Sequence, residues 1–410
     1  MTDKSDLSRR KILQAALAGA GAVAATPAKA DDYITKAMTT PGRPFTAYGM
    51  PAKYEDGVKR ILRPPGIAPG TGASLTPIES LEGIITPSGL HFDRCHNGVP
   101  DIDPKTHRLL IDGLVKTPLE FSLDDLMRYP RVSRMHFVEC GGNSGTNAAA
   151  PQPAQVTAGT IHGLVSCSEW TGIELGPLLD EAGLEPNATW ILAESGDAAG
   201  LSRSIPLKEA REQGLLVLYQ NGERLRPEQG YPLRLLMPGW EGNLNIKWIH
   251  RIQVAHGPMM TKDETSKYTQ LQKDGRTRQF NFIMPVKSVI TRPSGNMTMN
   301  GPGYYEISGI AWSGHGKITR VEVSLDGGAS WTDAEMPGPV LPKCLVRFRL
   351  PWEWDGKPAL LQSRSTDEAG NVQPTRAAWK APFSSAQFYQ YNAIQSWQVG
   401  ADNSVKNAYA

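Results

Sequence analysis

From Leu75 to about Val254, apolar positions recur in short runs that switch between a period of two and a period near 3.6. In RMHFVECGGN, Arg134 to Asn143, the residues Met135, Phe137 and Glu139 alternate with His136, Val138 and Cys140 until Gly141-Gly142 breaks the pattern. That predicts a strand ending in a thiol beside a tight turn. Further strands are predicted at His107 to Asp112, Thr189 to Glu194, Leu215 to Tyr219, Leu233 to Met237 and Asn245 to Val254. Ser122 with Asp125 is a capping-box-like start to a helix through Met127, which Pro130 ends. Helices over Leu175 to Ala182 and Leu207 to Gln213 are closed by Gly183 and Gly214. Asn221-Gly222 is a type I′ hairpin signal. Strands and helices mix without regular βαβ spacing and without G-x-G-x-x-G, so the expectation is an α+β domain and not a dinucleotide-binding one.

After Pro285 the helical period disappears. VKSVIT, YYEISGIAWS, ITRVEVSLDGGASW, LVRFRLPWEW and ALLQSRSTDEAGNVQP are β-rich runs separated by Gly, Pro, Asn and Asp, the pattern of an immunoglobulin-like β-sandwich of about 100 residues. The expected layout is an irregular Pro- and Gly-rich arm over 31–75, a catalytic domain over 76–282, the sandwich over 283–381, and an aromatic C-terminal tail over 382–410 that folds back onto the body.

The first thirty residues change the picture of the compartment. Ser8-Arg9-Arg10-Lys11-Ile12-Leu13, an Ala/Gly-rich run and Ala28-Lys29-Ala30 read as a twin-arginine signal with a small-x-small cleavage site. Its apolar part is too short to span a bilayer, so the expectation is a periplasmic protein exported already folded, with no membrane span. The commonest reason to fold before export is a cofactor inserted in the cytoplasm. Taking five basic and two acidic side chains from the 43 and 41 of the whole chain leaves 38 and 39, a formal charge of −1, which gives no case for nucleic acid. Four cysteines (Cys95, Cys140, Cys167, Cys344) are too few for a disulfide scaffold; an oxidising compartment permits one bridge, and the sequence does not say which pair.

No P-loop, hydrolase triad motif or H-E-x-x-H occurs, and the histidines lack i, i+4 pairing. A cysteine at a turn is ordinarily a small buried hydrophobe. Its company is more informative: Phe92-Asp93-Arg94-Cys95-His96, Cys140-Gly141-Gly142-Asn143 and GWEGNLNIK from Gly239 to Lys247 combine a soft thiolate, Gly-relaxed turns and cationic or amide donors. Such a set suits a soft-metal centre on an anionic organic ligand; it equally describes loops of an ordinary domain.

At these residues a resemblance enters. Arg94-Cys95-His96-x-x-Val99-Pro100, Cys140-x-Gly142-Asn143, Ser204-Ile205-Pro206-Leu207, Tyr231-Pro232-Leu233-Arg234, Pro238-Gly239 with Ile246-Lys247-Trp248, and Ala311-Trp312-Ser313-Gly314 with Val323 to Gly328 resemble, in one order from about Thr86 to Pro374, the sulfite oxidase family of molybdenum enzymes. ECGGNSG and HGLVSCSEWTG are most similar to the family's branch that oxidises sulfane sulfur. The resemblance implies a molybdenum–molybdopterin cofactor with Cys140 as the metal ligand, Arg94 and Tyr268 orienting substrate, and Phe92, Asp93, Arg94, Cys95, His96, Asp197, Gln229, Arg234, Asn245, Ile246 and Lys247 around the pterin and its phosphate. It gives Cys95 no definite role.

Departures from the family pattern bear on substrate. Of the arginines that close the sulfite pocket, Arg94 matches one, whereas Gly145 and Gln390 stand where two others are expected. Each lost charge-assisted hydrogen bond removes about 1.5 to 3 kcal/mol from anion binding. The implied function is therefore oxygen-atom transfer from water to sulfane sulfur on a carrier protein. The sequence holds no C-x-x-C-H and no haem domain, so electrons are expected to leave to another protein; the resemblance implies a c-type cytochrome subunit as that acceptor and a homodimer contact through the sandwich. The alternatives are a periplasmic sulfite dehydrogenase with cytochrome c as acceptor, and a non-catalytic subunit that organises a complex.

Overall fold

The computed structural model describes residues 34–409 apart from 65 and 67. The predicted signal segment lies outside the described residues. Among those described, no helix is long and apolar enough to cross a membrane.

The catalytic domain is built on two sheets. The first runs in the order Leu119–Ser122, Arg108–Gly113, Ile249–Ala255, Trp190–Ser195, Ser202–Pro206, antiparallel except where Ile249–Ala255 lies parallel to Arg108–Gly113. Leu175–Ala182 and Leu207–Gln213 pack on it, and Leu109, Ile111, Leu178, Leu179, Ile191, Ile205, Ala210 and Ile252 are wholly buried between them. Ser122 caps its helix as a true capping box with Asp125. The second sheet places Val165–Glu174 between Val132–Glu139 and Leu215–Gln220. Asn221 and Gly222, both at positive φ (51° and 82°), turn that last strand into Glu223–Arg224, the type I′ geometry the dipeptide predicts.

Two stretches differ from their sequence reading. The arm is not irregular to its end: Ile61–Leu62 and Gly72–Leu75 form a small sheet with Asp93–Cys95 and so belong to the catalytic body. The strand predicted from Asn245 begins only at Ile249, because the Asn245 amide is committed to the preceding loop and Trp248 takes φ 52°.

The second unit is a sandwich. Lys287–Arg292, Gly303–Trp312 and Val346–Trp354 face a five-stranded sheet ordered Thr332–Asp333, Ile318–Ser324, Ala359–Asp367, Ser396–Val399, Val405–Ala408, with Trp312, Phe348, Leu361 and Trp397 in the core between them. The last two strands come from the stretch read as a tail. Trp397 explains why: it is fully buried and donates its indole N–H to Ile290 O (3.0 Å) on the opposite sheet.

The two units share polar and apolar contacts. Cys167 and Cys344, one from each, lie with their sulfurs 3.3 Å apart, both buried and both as free thiols.

Candidate active site

Cys140 leaves the end of Val132–Glu139 with its N–H donated to Leu164 O (3.0 Å), and its own carbonyl accepts from Asn143 N (2.9 Å), closing the turn. The glycines are steric necessities. A Cβ on Gly141 would stand 1.4 Å from Glu241 Oε1, and one on Gly242 would stand 3.1 Å from Cys140 Cα. The loop of Gly242 can therefore lie directly against the thiol turn.

Cys140 sits where two chambers meet. The inner one, of about 650 Å³ including open solvent, is lined by His91 to His96, Val138, Ser195, Asp197, Leu201, Gln229, Arg234, Gly242, Asn243, Asn245, Lys247, Trp248 and Tyr268. The outer one, of about 1090 Å³ including open solvent, runs from Cys140, Arg94, His96 and Tyr268 past Arg63, Lys267, Phe388 and Tyr389. The structure thus brings Phe92, Asp93, Arg94, Cys95, His96, Cys140, Asp197, Gln229, Arg234, Asn245, Lys247 and Tyr268 around one cavity. Ile246 is not among them: its side chain is 1 % exposed and packs in the apolar core.

Several of these groups are already committed to protein partners. Gln229 donates to Phe92 O (2.9 Å) and accepts from Arg234 (3.3 Å), which fixes the entry to the strand that carries Arg94. Asn245 accepts from Met237 N (2.9 Å) and donates to Glu241 O (3.1 Å), bracing the loop. Lys247 pairs with Asp93 at 2.7 Å and touches Cys95 Sγ at 3.1 Å. Burial pushes the Cys95 thiol up to about 11, against the pull of Lys247, so it stays a neutral thiol bridging the pair.

Two further groups each keep one buried atom unpaired among the described residues. Arg234 is buried over Trp170, its Nε has no partner, and burial lowers it to about 10. His91 Nε2 is likewise unpartnered, and burial drives His91 to about 3. Leaving a buried donor or acceptor unpaired costs about 1–3 kcal/mol. A ligand carrying a phosphate would accept from Arg234, and a ring N–H on the same ligand would donate to His91 Nε2, whose Nδ1–H is already given to Phe92 O. Cys140 adds to the fit: burial pushes its thiol up, opposed by the Gly142 N–H, so a thiolate there calls for a cation at the sulfur. Among the described residues no three His, Cys, Asp or Glu side chains converge to hold a metal ion, so a metal on Cys140 would take its remaining ligands from a non-protein group. These residues fit a pterin-borne metal.

Tyr268 reaches His96 Nε2 with its hydroxyl (3.2 Å), and burial, then the Cys140 charge, hold that phenol well above its ordinary value. Its ring lies 5.1 Å from the guanidinium of Arg203, a completely buried residue paired with Glu264 (2.8 Å) and bonded to Asn243. Arg203, His91 and Arg63 escaped the sequence reading, while Asn243 and Trp248 stand inside its quoted motifs without an assigned role. An arginine between two serines in a strand looks solvent-facing, and its acid lies 61 positions away.

Fold and site define a two-domain molybdopterin oxidoreductase. Family models described as "Oxidoreductase molybdopterin binding domain" and "Mo-co oxidoreductase dimerisation domain" match residues 96–262 and 278–396. The crystal structure of the sulfane dehydrogenase SoxCD from Paracoccus pantotrophus is similar with TM-score 0.91 and 42 % identity, covering 94 % of this chain and all of that one. Mitochondrial sulfite oxidase of Homo sapiens is 30 % identical over 326 residues, 72 % of this chain and 58 % of its own length, and the NAD(P)H nitrate reductase of Hordeum vulgare is 30 % identical over 339 residues, 72 % and 38 %. The chain therefore belongs to the sulfite oxidase family of molybdenum oxidoreductases, and it spans 58 % of the length of the mammalian sulfite oxidases it matches.

Proposed function

We propose that this protein oxidises sulfane sulfur held on a carrier protein in the periplasm, taking oxygen from water and passing electrons to a c-type cytochrome subunit, with the sandwich pairing two copies of the chain. The observation that carries this reading is the outer chamber. It runs from solvent to Cys140, and Gly145 and Gln390 stand where the resemblance expects two of the arginines that close a small-oxyanion pocket. At Gly145 a Cβ would meet the Phe388 ring at 3.3 Å, so an aromatic occupies that side. Gln390 spends its amide on Asn281 O (2.9 Å) and Gln270 (3.1 Å). The similarity to a sulfane dehydrogenase along 94 % of the chain supports the same reading.

When bound, the molybdenum centre would supply two-electron oxygen-atom transfer chemistry. Cys140 would hold the metal, while His91, Arg234, the backbone of Phe92 to His96 and the loop at Asn243 would hold the pterin and its phosphate. Arg94, which has no carboxylate partner among the described residues, would place an anionic sulfur terminus beside Cys140. Tyr268, kept protonated, would donate a hydrogen bond at the reacting oxygen. Each oxygen added comes from one water and releases two protons and two electrons, so a terminal sulfane would advance stepwise to a sulfonate.

A sulfite dehydrogenase is the second reading, favoured by Arg94 and the sulfite oxidase relatives. Metal analysis of wild type and Cys140→Ala, with turnover of carrier-bound sulfane against free sulfite, decides between them. Molybdenum in the wild type alone and preference for the carrier are expected; efficient turnover of free sulfite at micromolar KM would sink the sulfane reading. A metal-free wild type would point instead to an organising subunit.

A further inference from the structure

Arg63 stands just after the strand Ile61–Leu62, in a Pro-rich stretch that carries no motif. Its backbone N–H donates to Ala73 O (2.9 Å) and its Nη2 to Thr160 O (3.2 Å), so both ends of the residue are fixed. Arg63 lines the outer chamber with Arg94, His96 and Lys267, and no Asp or Glu lines that chamber among the described residues. Neighbouring arginines behave differently: Arg60 pairs with Glu228 (3.1 Å), Arg203 with Glu264, and Arg251 with Asp112 (2.8 Å). Among the described residues Arg63 has no acidic partner within salt-bridge reach, and the Thr160 carbonyl accepts its single side-chain hydrogen bond. Burial and the like charge of Arg94 both lower it, whereas negative charge at Cys140 favours its cationic form. Two guanidiniums facing one cavity without a carboxylate repel each other until an anion lies between them, and a planar fork of donors suits the tetrahedral oxygens of a sulfur oxyanion.

Resting on the sulfane reading, we propose that Arg63 is a specificity-determining residue that binds the anionic sulfur terminus, a sulfinate or sulfonate, opposite Arg94. The arm thereby replaces, from another part of the chain, the charge absent at Gly145 and Gln390. Lys267, exposed at the rim, adds long-range attraction.

The test uses the molybdenum-loaded enzyme with Arg63→Ala, Arg63→Gln and Arg63→Lys, and Arg60→Ala as a neighbouring control outside the chamber. Inorganic sulfate is titrated calorimetrically, and KM and kcat are measured separately. The expected result is sulfate binding weakened about 10-fold in Arg63→Ala and Arg63→Gln, partly restored in Arg63→Lys and unchanged in Arg60→Ala, with KM raised about 10-fold and kcat changed about 2-fold or less. Unaltered sulfate affinity in Arg63→Gln, or no sulfate binding by the wild type, overturns it. So does a loss confined to kcat. The sulfate titration uses no sulfur substrate, so a wild type that prefers free sulfite would defeat the sulfane reading while leaving this result to be judged separately.

Discussion

The ammonium of Lys287, on the first strand of the sandwich, lies 3.2 Å from the carboxylate of Glu139, the residue before Cys140, and both side chains are about 99 % buried. Glu139 also accepts from Asn143 (2.8 Å) and from the indole of Trp312 (2.7 Å), while Lys287 donates to Ser144 (2.7 Å). Residues of the sandwich thus hold the thiol turn from beneath.

Removing one partner of such a buried pair leaves an uncompensated charge. Lys287→Met is expected to destabilise the protein by about 3–5 kcal/mol, whereas Lys287→Met with Glu139→Leu recovers much of that loss. Denaturant unfolding of the single and double variants checks it; additive losses would show that the pair is not coupled.

Arg234 gives a prediction whose sign depends on loading. Without cofactor its buried guanidinium has no carboxylate within salt-bridge reach among the described residues, so Arg234→Met should be as stable as or more stable than wild type when both are made cofactor-free. In loaded preparations the same variant should retain far less molybdopterin. Thermal melts of both forms, with pterin quantified by fluorescence after oxidation, separate the two effects.

Gly141 and Glu241 are matched sterically. Gly141→Ala places a methyl on the Glu241 carboxylate and is expected to cost about 1–3 kcal/mol. Glu241→Ala opens that space, so the double variant should melt above Gly141→Ala alone; failure of this rescue would mean that the Gly141 requirement lies elsewhere.

Stability should fall in mild acid through buried histidines. Burial first, aided by nearby cations, lowers His91 to about 3 and His96 to about 4; burial also lowers His136 to about 4, opposed by its bond to Lys343 O. Between about pH 4 and 6.5 the unfolded chain binds protons that the folded chain refuses, so stability rises with pH in that window. Each histidine contributes up to about 1.4 kcal/mol per pH unit. His136→Asn, away from the cavity, should flatten the slope by one proton, as read from unfolding free energies at several pH values.

Legibility in the sequence followed range of interaction. The helices over Leu175–Ala182 and Leu207–Gln213 and the strand before Cys140 were legible because period and stop residues are local. The strand predicted from Asn245 failed because period two continues through a loop whose conformation depends on where the Asn245 amide bonds. Resemblance supplied the cavity residues from Phe92 to Lys247, yet it could not tell that Ile246 turns inward or that Lys247 is spent on Asp93. Arg63, Arg203 and the Cys167–Cys344 contact depend on partners 61 to 177 positions away and left no mark in local pattern.

The N–H of Gln390 donates to Gly141 O (2.7 Å), and Phe388 lies over Gly142 and Gly145. The turn that carries Cys140 is therefore closed by residues far along the chain from it. A chain in which residues 388–390 have not docked presents an open thiol turn, and a docked one presents a shaped receptor. Completing the tertiary fold and becoming ready to receive a cofactor are then a single event.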